Sequence, residues 1–147
     1  MNEAGWLKSR RTVRVEWGDC DAAGIVFYPN YFRWMDASTG LLFELAGLGH
    51  RKIREINGIG IPLVDSRAQF LIPSPYGSDL EIESTIAQWG NKSFKVSHRF
   101  YQEGNLAAEG LETRIWAGPH PEDPRRLKAQ PVPREVIQRF AARQPDP

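Results

Sequence analysis

Asp19 and Asp21 flank Cys20 in the run Gly18-Asp19-Cys20-Asp21-Ala22-Ala23-Gly24. Carboxylates and thiols can attack a carbonyl or draw a proton from water. Residues 11–17 precede this run and alternate: Val13, Val15 and Trp17 share one face, Thr12, Arg14 and Glu16 the other. That pattern predicts a half-buried strand. The chain then reads as a helix from about Tyr31 to Ala46, with Pro29 suited to a first turn and Asn30 a candidate N-cap. A helix N-terminus presents unpaired N–H groups of partial positive charge, and these can stabilise a developing oxyanion. A carboxylate beside them completes a minimal set for attack on an activated carbonyl. The plainer reading is that the two Asp residues only cap a loop, as acids in turns commonly do. Cys20 reads as a small loop residue, since no histidine is near it in sequence.

The elements that must position these groups follow from periodicity. Apolar residues, among them Trp34, Met35, Leu42 and Phe43, cover most of the helix circumference. The exceptions Arg33, Asp36, Gly40 and Glu44 form one stripe, on which Arg33 and Asp36 can pair. Such a helix is expected to be buried, with Gly47 as its C-terminal cap. Residues 48–60 read as a connection holding a short helix. Four strands are expected at 63–72, 79–89, 92–102 and 106–117, with a β-bulge near Gly110. His98 falls on the apolar face of its strand and reads as a satisfied core histidine. The segment 119–147 holds 7 of the 11 prolines and a short helical pattern from Arg134 to Arg143. Short turns between consecutive strands imply an antiparallel meander. The predicted class is α+β, a curved five-stranded antiparallel sheet wrapped round one long buried helix. One sheet and one helix leave edges and an outer face uncovered, so a homo-oligomer is expected, a dimer or a dimer-of-dimers tetramer.

Composition sets the remaining bounds. The 147 residues suit a single domain spanning 1–147. Nineteen Lys and Arg against 18 Asp and Glu give a net charge of +1, which argues against a nucleic-acid partner. One cysteine allows no internal disulfide, and the three histidines (His50, His98, His120) are far apart, without zinc-binding spacing. Residues 1–11 lack the apolar core of a signal peptide, and no apolar run approaches a membrane span. A cytoplasmic location follows by default.

The run from Trp17 to Ala37, with its Gly18-Asp19-Cys20-Asp21-x-Ala23-Gly24-Ile25-Val26-x-Tyr28-Pro29-Asn30-Tyr31 core, resembles the 4-hydroxybenzoyl-CoA thioesterase family of hotdog-fold enzymes. Weaker similarity continues through Gly60-Ile61-Pro62, Trp89-x-x-Lys92-Ser93-Phe94 and Arg126-Leu127-Lys128. The resemblance implies hydrolysis of an aromatic or short acyl-CoA. Asp21 occupies the family's catalytic aspartate position, as nucleophile or general base. Tyr28 matches the residue whose backbone N–H polarises the thioester carbonyl. Asp36 matches a residue that holds the distal hydroxyl of a substrate bound by the neighbouring subunit. Lys92, Arg126 and Lys128 match cationic positions suited to the phosphates of coenzyme A. No cofactor or metal is implied, coenzyme A being part of the substrate.

Two positions depart from the family. Ile61 stands where the hydroxybenzoyl enzyme has a threonine, and losing that hydroxyl favours a less polar acyl group. Gly90-Asn91 replaces an arginine-rich turn. Benzoyl, phenylacetyl and short acyl groups stay open beside 4-hydroxybenzoyl. Two other readings remain: a thioesterase for acyl-carrier protein, whose acidic surface could meet Arg125, Arg126 and Lys128, and a non-catalytic acyl-CoA-binding domain. Another hotdog branch places a catalytic Glu on the central helix, where Glu44 lies, but the Asp21 motif argues against that here.

Overall fold

The computed structural model describes residues 5–141. Its elements run β1 (Lys8–Arg14), α1 (Pro29–Leu45), α2 (His50–Arg54), β2 (Leu63–Phe70), β3 (Asp79–Trp89), β4 (Ser93–Gln102), β5 (Asn105–Ile115), β6 (Ala117–Pro119), β7 (Leu127–Ala129) and α3 (Arg134–Arg139). The class is α+β. One antiparallel sheet has the order β1-β3-β4-β5-β2, and β6 pairs with β7 in a second, two-stranded sheet. Helix α1 lies against β1, β3 and β4. No helix among the described residues is long and apolar enough to cross a membrane.

Four expectations are corrected. The first strand sits earlier than 11–17, and Trp17 lies in a 3-10 turn (Trp17–Asp19) with two thirds of its surface exposed. The meander holds only for β3-β4-β5, because β2 pairs with β5 at the far edge instead of with β3. The connection 71–78 must therefore cross three strand spacings, about 14 Å. Pro73 and Pro75 suit it to an extended run rather than a tight hairpin. Helix α1 begins at Pro29 with Tyr28 as N-cap, because the proline fixes helical φ one residue ahead of Asn30. Its expected polar stripe is the exposed side, at Arg33, Asp36 and Glu44, with Ala37 beside it. The bulge near Gly110 is absent. Gly110 sits in regular register opposite both Ala68 and His98, and the irregularity falls at Ala107. A glycine stands at 110 because α1 comes close: a Cβ there would lie 2.5 Å from Met35 Cε.

The expected C-terminal cap of α1 holds. Helix α1 ends in a Schellman turn, with Gly47 at φ +78° and the Leu48 N–H bonded to the Phe43 carbonyl at 2.8 Å. The segment after residue 118 completes the core. Helix α3 brings Phe140, fully buried, to within 4.8 Å of the Phe43 ring and 5.3 Å of Trp89. The helical pattern expected to continue to Arg143 stops at Arg139, and Arg143 itself lies outside the described residues.

The core has two apolar clusters. One gathers Leu42, Phe43, Ile86, Val96, Trp116 and Phe140, and the other Val15, Tyr31, Met35, Ile82 and Phe100. A buried polar belt separates them. Thr39 falls between Met35 and Leu42 on α1, Ser84 between Ile82 and Ile86 on β3, and His98 between Val96 and Phe100 on β4. Glu112 and Arg114 of β5 close the belt.

Candidate active site

Asp21 sits on an exposed turn that β-type bonds fold back on itself. Its N–H donates to the Ile25 carbonyl at 2.9 Å, and Cys20 bridges Val26. The Asp21 carboxylate accepts the Ala23 N–H at 2.8 Å, and Gly24 takes φ +78° to close the turn. This turn is fastened to the start of α1. The Asp19 carbonyl accepts both the Phe27 N–H at 2.8 Å and the Asn30 side-chain amide at 2.9 Å. Asp19 is structural, since its carboxylate also accepts the Glu16 N–H at 2.8 Å. The β2–β3 connection braces the same turn from outside, with Val26 N–H on the Ser74 carbonyl and Tyr76 N–H on the Gly24 carbonyl.

At the helix start, the N–H groups of Asn30 and Tyr31 are bonded to the carbonyls of Phe27 and Tyr28. Pro29 has no N–H. The Tyr28 N–H is thus the donor of that turn left without a partner among the described residues. It lies at the positive end of a 17-residue helix. The Tyr28 ring is exposed and leans on Phe27, at 5.5 Å. Desolvation, then the charges of Asp19 and Asp21, push the Cys20 thiol up, which makes it a poor nucleophile.

A cavity of about 400 Å³ opens two turns further along α1, between that helix and the segment 58–62. Asp36 and Ile61 both line it, together with Gly40, Phe43, Arg114 and Leu127. The expected pairing of Asp36 with Arg33 does not form. Arg33 bonds Asn30, while Asp36 Oδ1 accepts from Arg114 Nη2 at 2.7 Å, because a buried guanidinium offers a stronger partner than an exposed one. Arg126 and Lys128 are exposed on either side of Leu127 in the chain, but of the three only Leu127 lines the cavity. Lys92 is exposed at the β3–β4 turn and is not part of the lining. Asp21 and Tyr28 are not part of it either, so one chain does not place them in a common pocket with Asp36 and Ile61.

Sequence reasoning missed Glu112 and Arg114. Glu112 Oε1 accepts from His98 Nε2 at 2.9 Å and from the Thr39 hydroxyl, while Oε2 accepts from Arg114 Nη2 at 2.8 Å. His98 Nδ1 lies 2.7 Å from the Ser84 hydroxyl. Burial works against ionising Glu112, yet the bonds from His98 and Arg114 outweigh it and hold its pKa down at about 2. For Arg114, burial is likewise outweighed by Glu112 and Asp36, so its pKa is raised. The available signal was His98 on an apolar face in need of a partner, with two charges spaced i, i+2 on the next strand.

Comparison with known proteins bears on this geometry. A family model described as the thioesterase-like superfamily matches residues 15–140. The 4-hydroxybenzoyl-CoA thioesterase of Pseudomonas sp. (strain CBS-3) is 36% identical over 132 residues, covering 85% of this chain and 92% of that protein. A 1,4-dihydroxy-2-naphthoyl-CoA hydrolase of Prochlorococcus marinus (strain MIT 9515) is 32% identical over 116 residues, 75% of each chain. Among solved structures, an Asp-to-Asn variant of 4-hydroxybenzoyl CoA thioesterase in complex with 4-hydroxybenzoyl CoA superposes with a TM-score of 0.82. It is 35% identical and covers 91% of this chain and 99% of its own.

Proposed function

Because the chain belongs to the thioesterase-like superfamily and has a hotdog fold, we propose that it hydrolyses an aromatic or short acyl-CoA to the free acid and coenzyme A through Asp21 and the Tyr28 N–H. The chain is a thioester hydrolase. The observation that carries the residue assignment is the fastening of the Asp21 turn to the α1 N-terminus, where the Tyr28 N–H has no partner among the described residues. The thioester carbonyl oxygen sits at that N–H and the helix's positive end, which stabilise the oxyanion as it forms. Asp21 attacks the carbonyl carbon to give an acyl anhydride that water then hydrolyses, or takes a proton from a water that attacks the carbonyl directly. Coenzyme A leaves as a thiolate; a thiol pKa near ~8.5 makes it a good leaving group without a strong acid. The mechanism draws on no metal or redox cofactor.

The complete site forms between two copies of the chain. The exposed edge strand β2 and the run after it carry Val64, Phe70, Leu71 and Ile72, an apolar edge that a second copy would cover. Asp36 and Ile61 of one subunit then serve Asp21 and Tyr28 of the other. Two such dimers make the tetramer. Lys92, Arg126 and Lys128 receive the phosphates of coenzyme A. A cytoplasmic setting suits the single free thiol of Cys20.

The test is free-thiol release from a panel of 4-hydroxybenzoyl-, benzoyl-, phenylacetyl- and straight-chain acyl-CoAs, with matched acyl-carrier-protein thioesters alongside. Asp21→Asn should lower kcat roughly 10²-fold or more. Tyr28→Phe should change little, since the proposed role is main-chain. Near-normal turnover by a folded Asp21→Asn protein would refute the assignment.

A further inference from the structure

Arg114 joins two residues of the cavity wall that belong to different elements. Its Nη2 donates to Asp36 on α1 at 2.7 Å, and its Nη1 donates to the carbonyl of Ile61 at 3.0 Å. The same guanidinium is held from behind by Glu112 Oε2 at 2.8 Å. Glu112 in turn is fixed by His98 and Thr39 in the belt between the two apolar clusters. The side chains of Arg114 and Glu112 are 7% and 1% exposed, whereas Asp36 is 72% exposed. The anchor is therefore rigid, and the carboxylate it steers faces the open side of the cavity. Asp36 spends Oδ1 on Arg114, while Oδ2 accepts no hydrogen bond among the described residues.

A planar fork is the side chain that can do this. Its donors diverge at fixed angles, so they can reach a carboxylate on a helix, a carbonyl on a loop and a carboxylate on its own strand together. An ammonium concentrates its donors on one atom and cannot span all three. Arg114 bonds neither Asp21 nor Tyr28, so it has no part in the bond-making step.

We propose that Arg114 is a positioning residue that sets acyl-group selectivity: it clamps Asp36 against the Ile61 segment, leaving Oδ2 to accept from a donor on the acyl ring. This rests on the thioesterase reading above. A ring hydroxyl gains a charge-assisted bond at a prepaid geometry, and a bare ring gains nothing. The clamp thus acts on the ratio of two substrates more than on the rate of either.

The experiment compares kcat and KM for 4-hydroxybenzoyl-CoA and benzoyl-CoA in the wild type, Arg114→Lys, Asp36→Asn and the double variant. Arg114→Lys should lower the hydroxybenzoyl-to-benzoyl ratio of kcat/KM roughly tenfold. The change should appear in KM for the hydroxylated substrate more than in its kcat. Asp36→Asn should lower the same ratio, and the double variant should go no further. An unchanged ratio in folded Arg114→Lys overturns the proposal, as do independent effects that multiply in the double variant. Asp36 is exposed, so Asp36→Asn should fold whether or not the lysine variant does, and an unchanged ratio there overturns the proposal by itself. No thiol release from wild type on any thioester refutes the enzyme reading and removes the proposal with it. Release with an unmoved ratio refutes the clamp alone.

Discussion

Glu112 ties the protein's stability to pH in a way that can be measured at one residue. Its carboxyl is held at about 2 in the folded chain, against an ordinary value of 4.5. A carboxylate with a lowered folded pKa stabilises the fold above the unfolded value and loses that contribution as pH falls through the folded one. The window is therefore pH 4.5 down to 2. The difference, at 1.36 kcal/mol per unit, corresponds to about 3 kcal/mol, of which about 2 is lost by pH 3. Urea unfolding at pH 6 and pH 3, at fixed protein concentration, reads this loss. Glu112→Gln removes the titration but keeps a carbonyl for Arg114 and His98 to donate to. Wild type should lose about 2 kcal/mol more than the variant between the two pH values. A carboxyl-carbon NMR titration of the wild type checks the premise directly, since Glu112 should stay ionised down to pH 3. Equal pH dependence of the two proteins, or a Glu112 midpoint at 4.5 or above, would refute the reasoning.

Two further outcomes follow from packing. Phe140→Ala empties a fully buried site against the rings of Phe43 and Trp89; it should cost about 3–5 kcal/mol in denaturant unfolding. Gly47→Ala places a Cβ at φ +78° and 2.9 Å from Arg139 Nη1. It should cost about 1 kcal/mol or more, read as a lowered Tm.

The Asp21 turn was legible because its residues are local. Asp21, the turn glycines and the Pro29 helix start lie within a dozen residues, so backbone preferences alone bring them together. The β3-β4-β5 meander was legible for the same reason, through short turns and clean alternation. The placement of β2 was not. Its choice of β5 over β3 is a non-local pairing, and the turn-like 73–77 run fits a crossing as well as a hairpin. On β5 the hydrophobic pattern misled: Leu111 and Ile115 face outward while Glu112 and Arg114 face the core. Alternation scores apolarity, but here the inward face is chosen by satisfied charge, with His98 and Asp36 as partners on other elements. The expected phase change at Gly110 arose from that inversion. Asp36 went to Arg114 rather than Arg33 because the stronger partner is 78 residues away.

The brace on the Asp21 turn has a consequence for how the enzyme is born. Beyond its own local bonds, the turn is braced by residues 74–76, some fifty residues later in the chain. That run leads straight into β3, whose Asp79 lies opposite Arg14 at the end of β1, so the β1–β3 pairing brings the brace to the turn. The hairpins of the meander can zip up from neighbouring contacts, but β1–β3 spans the largest sequence separation in the sheet and has the costliest loop to close. The brace is therefore expected to form after the β3-β4-β5 meander. A loosened β1–β3 pairing would release it while the meander stayed whole.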